Sequence, residues 1–119
     1  MAKHNELGKE GEQIAVDFLI EKEYTIKERN WRFKKAEIDI IAQLNNTLIA
    51  VEVKTRSTDD FGDPQEFIKP KQKNLLITAM DEYVITNDLD VEVRFDVIGI
   101  IKNKNQTKIE HLEDAFFHF

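Results

Sequence analysis

The 119-residue chain has no cysteine. Disulfides, thiolate zinc sites and a cysteine nucleophile are therefore excluded, and a reducing cytoplasm fits. No run approaches the ~18 apolar residues of a membrane-spanning helix. The N-terminal stretch to Leu19 lacks an apolar segment behind a basic one, so no secretory signal is expected. A positive balance is missing too. The formal net charge is -6, opposite to the usual nucleic-acid binder. A cleft on an acidic protein can still be locally positive, and metal ions neutralise acids at a site.

Several catalytic patterns are also missing. There is no glycine-rich phosphate loop: Gly8 and Gly11 lie in helix-forming sequence with no strand before them. His4, His111 and His118 lack the spacing of zinc ligands, and His118 reads as a surface residue. Ser57 has no evident histidine partner. The aromatics do not interleave with basic residues as in RNA-binding sheets, so Phe18, Trp31 and Phe95 read as core.

What is present is patterned for one domain over residues 1–119, long enough to bury roughly two-thirds of the unfolded chain's surface. Residues 6–22 form a helix capped by Asn5, with Leu7, Ile14 and Phe18 on its stripe and Gly11 and Ala15 beside it. Gly8 and Gly11 each cost about 1 kcal/mol in a helix, which close approach of another element would offset. Glu12 borders the stripe, and solvent is its default environment. Residues 24–32 form a weaker strand disrupted near Asn30, and 33–35 turn. Residues 57–69 read as an irregular loop. Pro70 opens a second helix to about Thr86, with Leu75, Ile77, Ala79, Met80, Tyr83 and Val84 as its apolar surface. Lys69, Lys71 and Lys73 sit near its start, the less favourable end for cations, which phosphate binding would rationalise as well as a solvated face does. Residues 91–101 form a strong strand in which Arg94 pairs with the embedded Asp96 as a structural salt bridge. Residues 107–112 form an edge strand. Helices alternating with strands predict an α/β domain, a mixed sheet flanked by helices.

The chain is organised around residues 36–56, AEIDIIAQLNNTLIAVEVKTR. Two apolar strands, 37–44 and 47–54, flank the Asn45-Asn46 turn and predict an antiparallel hairpin. Ile49, Val51 and Val53 share one face; Leu48, Ala50, Glu52 and Lys54 share the other. Asp39 and Glu52 are expensive to desolvate inside such strands unless paired, hydrogen-bonded or metal-bound. Two carboxylates holding Mg²⁺, with a backbone carbonyl at Val53 and an amine at Lys54, suit phosphodiester hydrolysis. Glu12 from the first helix would join as a direct or water-mediated ligand. The pattern leaves a plainer reading open, in which Asp39 pairs with Lys54 across the hairpin.

Asp39, followed after a hairpin by Glu52-Val53-Lys54, resembles the signature of the PD-(D/E)xK nuclease superfamily, whose fold is restriction-endonuclease-like. Over nearly its full length the chain also resembles a widespread bacterial family of endonucleases predicted from sequence. These are distant relatives of archaeal Holliday junction resolvases. The matching stretches are Gly8 to Glu12 with Ala15, Asn30-Trp31-Arg32, Glu37 to Ile41, Val51 to Arg56, Lys71-Gln72-Lys73 with Ala79, Arg94 to Val97, and His111 to Phe116. The resemblance implies a three-layer fold and a metal-dependent DNA endonuclease using Mg²⁺ or Mn²⁺. It implies Glu12, Asp39, Glu52 and Lys54 as catalytic groups. Branched or junction DNA is the implied partner, with a homodimer; no membrane partner and a cytoplasmic location are expected from the composition. Arg56, Lys71, Gln72 and Lys73 are the expected nucleic-acid contacts. One departure is local: the family has a glycine before Glu37, where this chain has Lys35-Ala36. Two alternatives stay open, a non-catalytic nucleic-acid-binding module and a protein-interaction domain that inherited the fold.

Overall fold

A computed structural model describes residues 2–58 and 68–116, with side chains from Glu6 onward. Most of the expected loop at 57–69, and Phe117, His118 and Phe119, lie outside the described residues. The elements are α1 (Ala2–Glu21), β1 (Thr25–Phe33), β2 (Ala36–Leu44), β3 (Thr47–Arg56), α2 (Pro70–Thr86), β4 (Glu92–Lys102) and β5 (Thr107–Leu112).

Short turns fix the first three strands as an antiparallel meander. Lys34 (φ 55°) turns β1 into β2, and Asn45 (φ 55°) turns β2 into β3. Asparagine tolerates that left-handed conformation better than most residues. Ala36, at the position before Glu37, is a buried strand residue paired with Phe33. The missing glycine is therefore not needed there: the left-handed turn position is Lys34. After β3 the chain crosses through α2 and returns as β4, parallel to β3, as a parallel pair requires. β5 then folds back along β4, giving sheet order β1-β2-β3-β4-β5.

The sheet buries both faces. On one, Ala15, Val16 and Leu19 of α1 pack on Ile40, Ile49, Val51 and Ile98. On the other, Leu76, Ala79, Met80 and Tyr83 of α2 pack on Ile38, Ile41, Leu48 and Phe95. Each fully buried side chain of this size contributes about 1.5–3 kcal/mol, so the central strands anchor the domain. Helix, mixed sheet and helix match the restriction-endonuclease-like α/β/α architecture expected from the sequence.

Three local expectations are corrected. The first helix begins at Ala2, so Asn5 lies inside it and is not its cap. Its buried stripe is Gly11, Ala15, Val16 and Leu19, while Leu7, Ile14 and Phe18 are only partly buried at its edges. The reason is close approach to β3: a Cβ on Gly11 would sit 1.9 Å from Thr55 Oγ1. Gly8 has no such contact, and a Cβ there would meet nothing within 4 Å. In α2 the buried face includes Leu76, which completes the i, i+3, i+4, i+7 set with Ala79, Met80 and Tyr83.

Candidate functional site

The site forms where β2 and β3 part. Their ladder ends at Ile40 paired with Val51. Beyond it, β2 loses its two-residue alternation: Ile38 and Ile41 face α2, whereas Ile40 and Ala42 face α1. The break falls at Asp39. Asp39 Oδ2 accepts the Val53 N–H at 2.8 Å, so the side chain takes the backbone donor that a continued ladder would have used. The fork this opens is a cleft of about 350 Å³. Its lining includes Glu12 from α1, Lys35 from the β1–β2 turn, Glu37 and Asp39 at the start of β2, Glu52, Val53 and Lys54 from β3, and Gln72 from α2.

Glu52 is buried on the α2 face of β3, as alternation predicts. Lys54 Nζ lies 3.8 Å from its carboxylate, and the Gln72 side-chain amide donates to Glu52 Oε2. Asp39 is close enough to hydrogen-bond with Glu52, and the two carboxyls cannot both ionise cheaply. Desolvation, then the Asp39 hydrogen bond and negative charge, push the Glu52 carboxyl well above the usual carboxylate range. Lys54 offsets only part of this. At the rim, desolvation raises the Glu12 carboxyl, a hydrogen bond from Asn30 pulls it partly back, and the Asp39 charge adds to the rise. Asn30 Nδ2 donates to Glu12 Oε1 at 3.1 Å.

The sequence-predicted groups Glu12, Asp39, Glu52, Val53 and Lys54 thus share one cleft. Glu12 lines it, contrary to the solvent default, because the close seating of Gly11 on Thr55 holds this turn of α1 over the end of β3. Gln72, expected to touch nucleic acid, turns inward to Glu52. Arg56, Lys71 and Lys73 are not among the lining residues. Lys73 Nζ sits 5.5 Å from the centre of the Phe116 ring. Lys35, Glu37 and Asn30 have no site role that the sequence alone assigns. Lys35 and Glu37 lie beside Asp39 along the same stretch of chain, whereas Asn30 reaches its level only through the β1–β2 register, which a single sequence does not display.

The donor set can be weighed against a divalent cation. Two carboxylates that converge with too little positive charge beside them present hard oxygen ligands in the chemistry Mg²⁺ and Mn²⁺ accept. Among the described residues, no three His, Asp or Glu side chains form a ready-made cluster for an ion. The fit therefore rests on two acids, with water or substrate oxygens supplying the remainder.

Asp96 is buried separately, on the α1 side of β4. Arg94 grips it through Nε and Nη2, both at 2.9 Å, His111 Nε2 lies 2.7 Å from Oδ2, and the Asp114 N–H donates to Oδ1 at 3.0 Å. Desolvation pushes the Asp96 carboxyl up, but the hydrogen bonds from His111, Arg94 and Asp114 outweigh it and hold it below the usual range. The Asp96 hydrogen bond raises the Arg94 guanidinium further. The expected structural salt bridge is present. His111, read from sequence only as a poor zinc ligand, proves to be one of its buried members. Among the described residues its Nδ1 is a buried polar atom without a hydrogen-bond partner.

Comparison with known proteins supports the family part of the expectation. Residues 11–100 match the model of the uncharacterised protein family UPF0102. A UPF0102 protein of Christiangramia forsetii is 64% identical, and one of Flavobacterium psychrophilum is 60% identical, each over all of both chains. A UPF0102 protein of Phocaeicola vulgatus is 44% identical over 98% of this chain and 97% of its own. With the family model covering most of the chain and relatives matched nearly end to end, the protein belongs to the UPF0102 family.

Proposed function

We propose that the protein is a metal-dependent DNA endonuclease that hydrolyses phosphodiester bonds, with branched or junction DNA as its substrate class. The observation that carries this reading is the convergence of Asp39 and Glu52, with Lys54 beside them, in a cleft opened by the fork of β2 and β3. The same residues carry the resemblance to the PD-(D/E)xK nucleases and the junction resolvases.

Asp39 and Glu52 would hold Mg²⁺ or Mn²⁺. When bound, the ion supplies charge neutralisation at the phosphate and a more acidic water. Asp39 is oriented for that task by the Val53 N–H, and Glu52 by the Gln72 amide. Lys54 carries a positive charge on the same strand face and orients the attacking water while offsetting charge that develops on phosphate. Glu12 contributes a further carboxylate from the rim, directly or through water. Lys71 and Lys73, at the first turn of α2, and Arg56, at the end of β3, engage flanking phosphates. A homodimer would offer two such clefts to the two strands of a junction.

Calorimetric titration of Mn²⁺ into the wild type and into an Asp39→Asn/Glu52→Gln variant tests the assigned ligands. Weak binding by the wild type and none by the variant is expected. Identical binding by the two would remove these acids from the proposal.

A further inference from the structure

The geometry points to Asn30 as a positioning residue that aims the Glu12 carboxylate into the Asp39–Glu52 cleft; this rests on the nuclease reading of that cleft. Asn30 lies in β1, an edge strand, with φ 50°. The other described non-glycine residues with positive φ (Glu23, Lys34, Asn45, Asp88 and Asp114) sit in turns. Asn30 is the one inside a strand, where left-handed backbone is unfavourable for any residue with a Cβ.

The kink has a specific result. In a regular strand, consecutive side chains point to opposite faces. Here Arg29 and Asn30 both reach α1: Arg29 Nη1 donates to Gln13 Oε1 and Asn30 Nδ2 donates to Glu12 Oε1, each at 3.1 Å. Trp31 then returns to the α2 face, its ring edge-on to Tyr83 at 5.1 Å. Arg29 pairs with Ile40 and Trp31 with Ile38, so Asn30 lies level with Asp39, where β2 loses its own alternation. Two irregular strands thus meet at the height of the cleft, and the amide of one bonds the glutamate that lines it.

A plainer role would be to stitch α1 to β1. The neighbouring Arg29–Gln13 bond already does so, with neither residue in the cleft lining. The Asn30 bond differs in restraining a cleft carboxylate that otherwise has the rotamer freedom of a helix-surface glutamate. Losing one restraint on a ligand of this kind typically lowers metal affinity or activity roughly tenfold or more.

The test separates backbone from amide. Asn30→Gly keeps the left-handed backbone accessible and removes the donor. Asn30→Asp keeps a short side chain tolerant of that backbone and replaces the donor with an acceptor. Arg29→Ala removes the other stitch. Each is compared with the wild type and Glu12→Ala by Mn²⁺ calorimetry, single-turnover DNA cleavage and thermal unfolding. Asn30→Gly and Asn30→Asp should each lose roughly tenfold in Mn²⁺ affinity or cleavage rate, and Asn30→Gly should add nothing to Glu12→Ala. Arg29→Ala should lower the melting temperature alone. The inference is overturned if both Asn30 variants bind and cut like the wild type while Glu12→Ala is impaired, or if the Asn30→Gly and Glu12→Ala losses multiply. If the wild type neither binds Mn²⁺ nor cuts, the nuclease reading and this inference fall together.

Discussion

Replacing Glu52 by glutamine should stabilise the metal-free protein, although it removes a residue assigned to the site. Glu52 is buried, only 6% exposed, and Asp39 and desolvation raise its carboxyl far above the ordinary value. Its folded pKa therefore exceeds its unfolded one. The folded state binds more protons between the two, and stability falls as pH rises from the ordinary glutamate value of about 4.3 towards the folded value. Holding a glutamate neutral at pH 7 spans roughly 2.7 pKa units, at about 1.36 kcal/mol each, a ceiling of about 4 kcal/mol. The raised carboxyl already includes the pull of Lys54, 3.8 Å away, towards the charged form; water reaching the open cleft lowers the ceiling, so a gain of about 1–3 kcal/mol at neutral pH is expected. Glutamine also reproduces the neutral acid, accepting from Gln72 and donating to Asp39. Urea unfolding in EDTA between pH 5 and pH 8 measures the effect. The advantage of Glu52→Gln should grow with pH, and saturating Mn²⁺ should shrink or reverse it by stabilising the wild type alone. A variant less stable than the wild type at pH 8 in EDTA, or an advantage independent of pH, would refute the account of this carboxylate pair.

The two helix glycines should respond oppositely to alanine. Gly11→Ala must push α1 off Thr55 and should lose about 1–3 kcal/mol by chemical denaturation, whereas Gly8→Ala, with open space around it, should gain up to about 1 kcal/mol. Asp96→Asn removes the buried anion of Arg94 and leaves it the half-exposed Glu113, 3.4 Å away, so the loss should lie near the low end of the range for a broken buried pair, about 3 kcal/mol. Because the folded Asp96 pKa is depressed, its contribution is present above the ordinary aspartate value of about 3.9 and disappears as pH falls through the folded value. Stability measured from pH 2 to 6 should accordingly be flatter in Asp96→Asn than in the wild type. Lys54→Ala should abolish cleavage while shifting the melting temperature by only a few degrees, since its amine is partly exposed and touches an acid that burial already keeps neutral; cleavage at the wild-type rate would remove the lysine from the mechanism.

The hairpin and its acids are legible in the sequence. Strand alternation alone assigns Glu52 and Lys54 to one face, and two asparagines between apolar runs signal the turn. Register carries the rest. Asp39 meets Glu52 because β2 loses its alternation there, and Asp39 takes a bond from the Val53 backbone that no residue pattern announces. Gln72 reaches Glu52 from an element 20 residues away in the chain, and in sequence it reads as one more polar residue in a lysine-rich helix start. Centring the α1 stripe on large apolar residues misplaces it. In the structure two small ones, Gly11 and Ala15, set the closest approach and rotate the helix so that Glu12 lines the cleft. Zinc spacing is the wrong criterion for His111, whose actual partner is Asp96, an acid that the sequence pairs with Arg94 alone.

Single-turnover cleavage of labelled duplex, flap, splayed-arm and four-way-junction DNA, with Mg²⁺ or Mn²⁺, addresses the central claim most directly. Metal-dependent cutting of at least one branched substrate by the wild type is expected, lost in Asp39→Asn and in Lys54→Ala with both variants folded. Wild-type protein that leaves every substrate intact, or cutting that survives both substitutions, would contradict it.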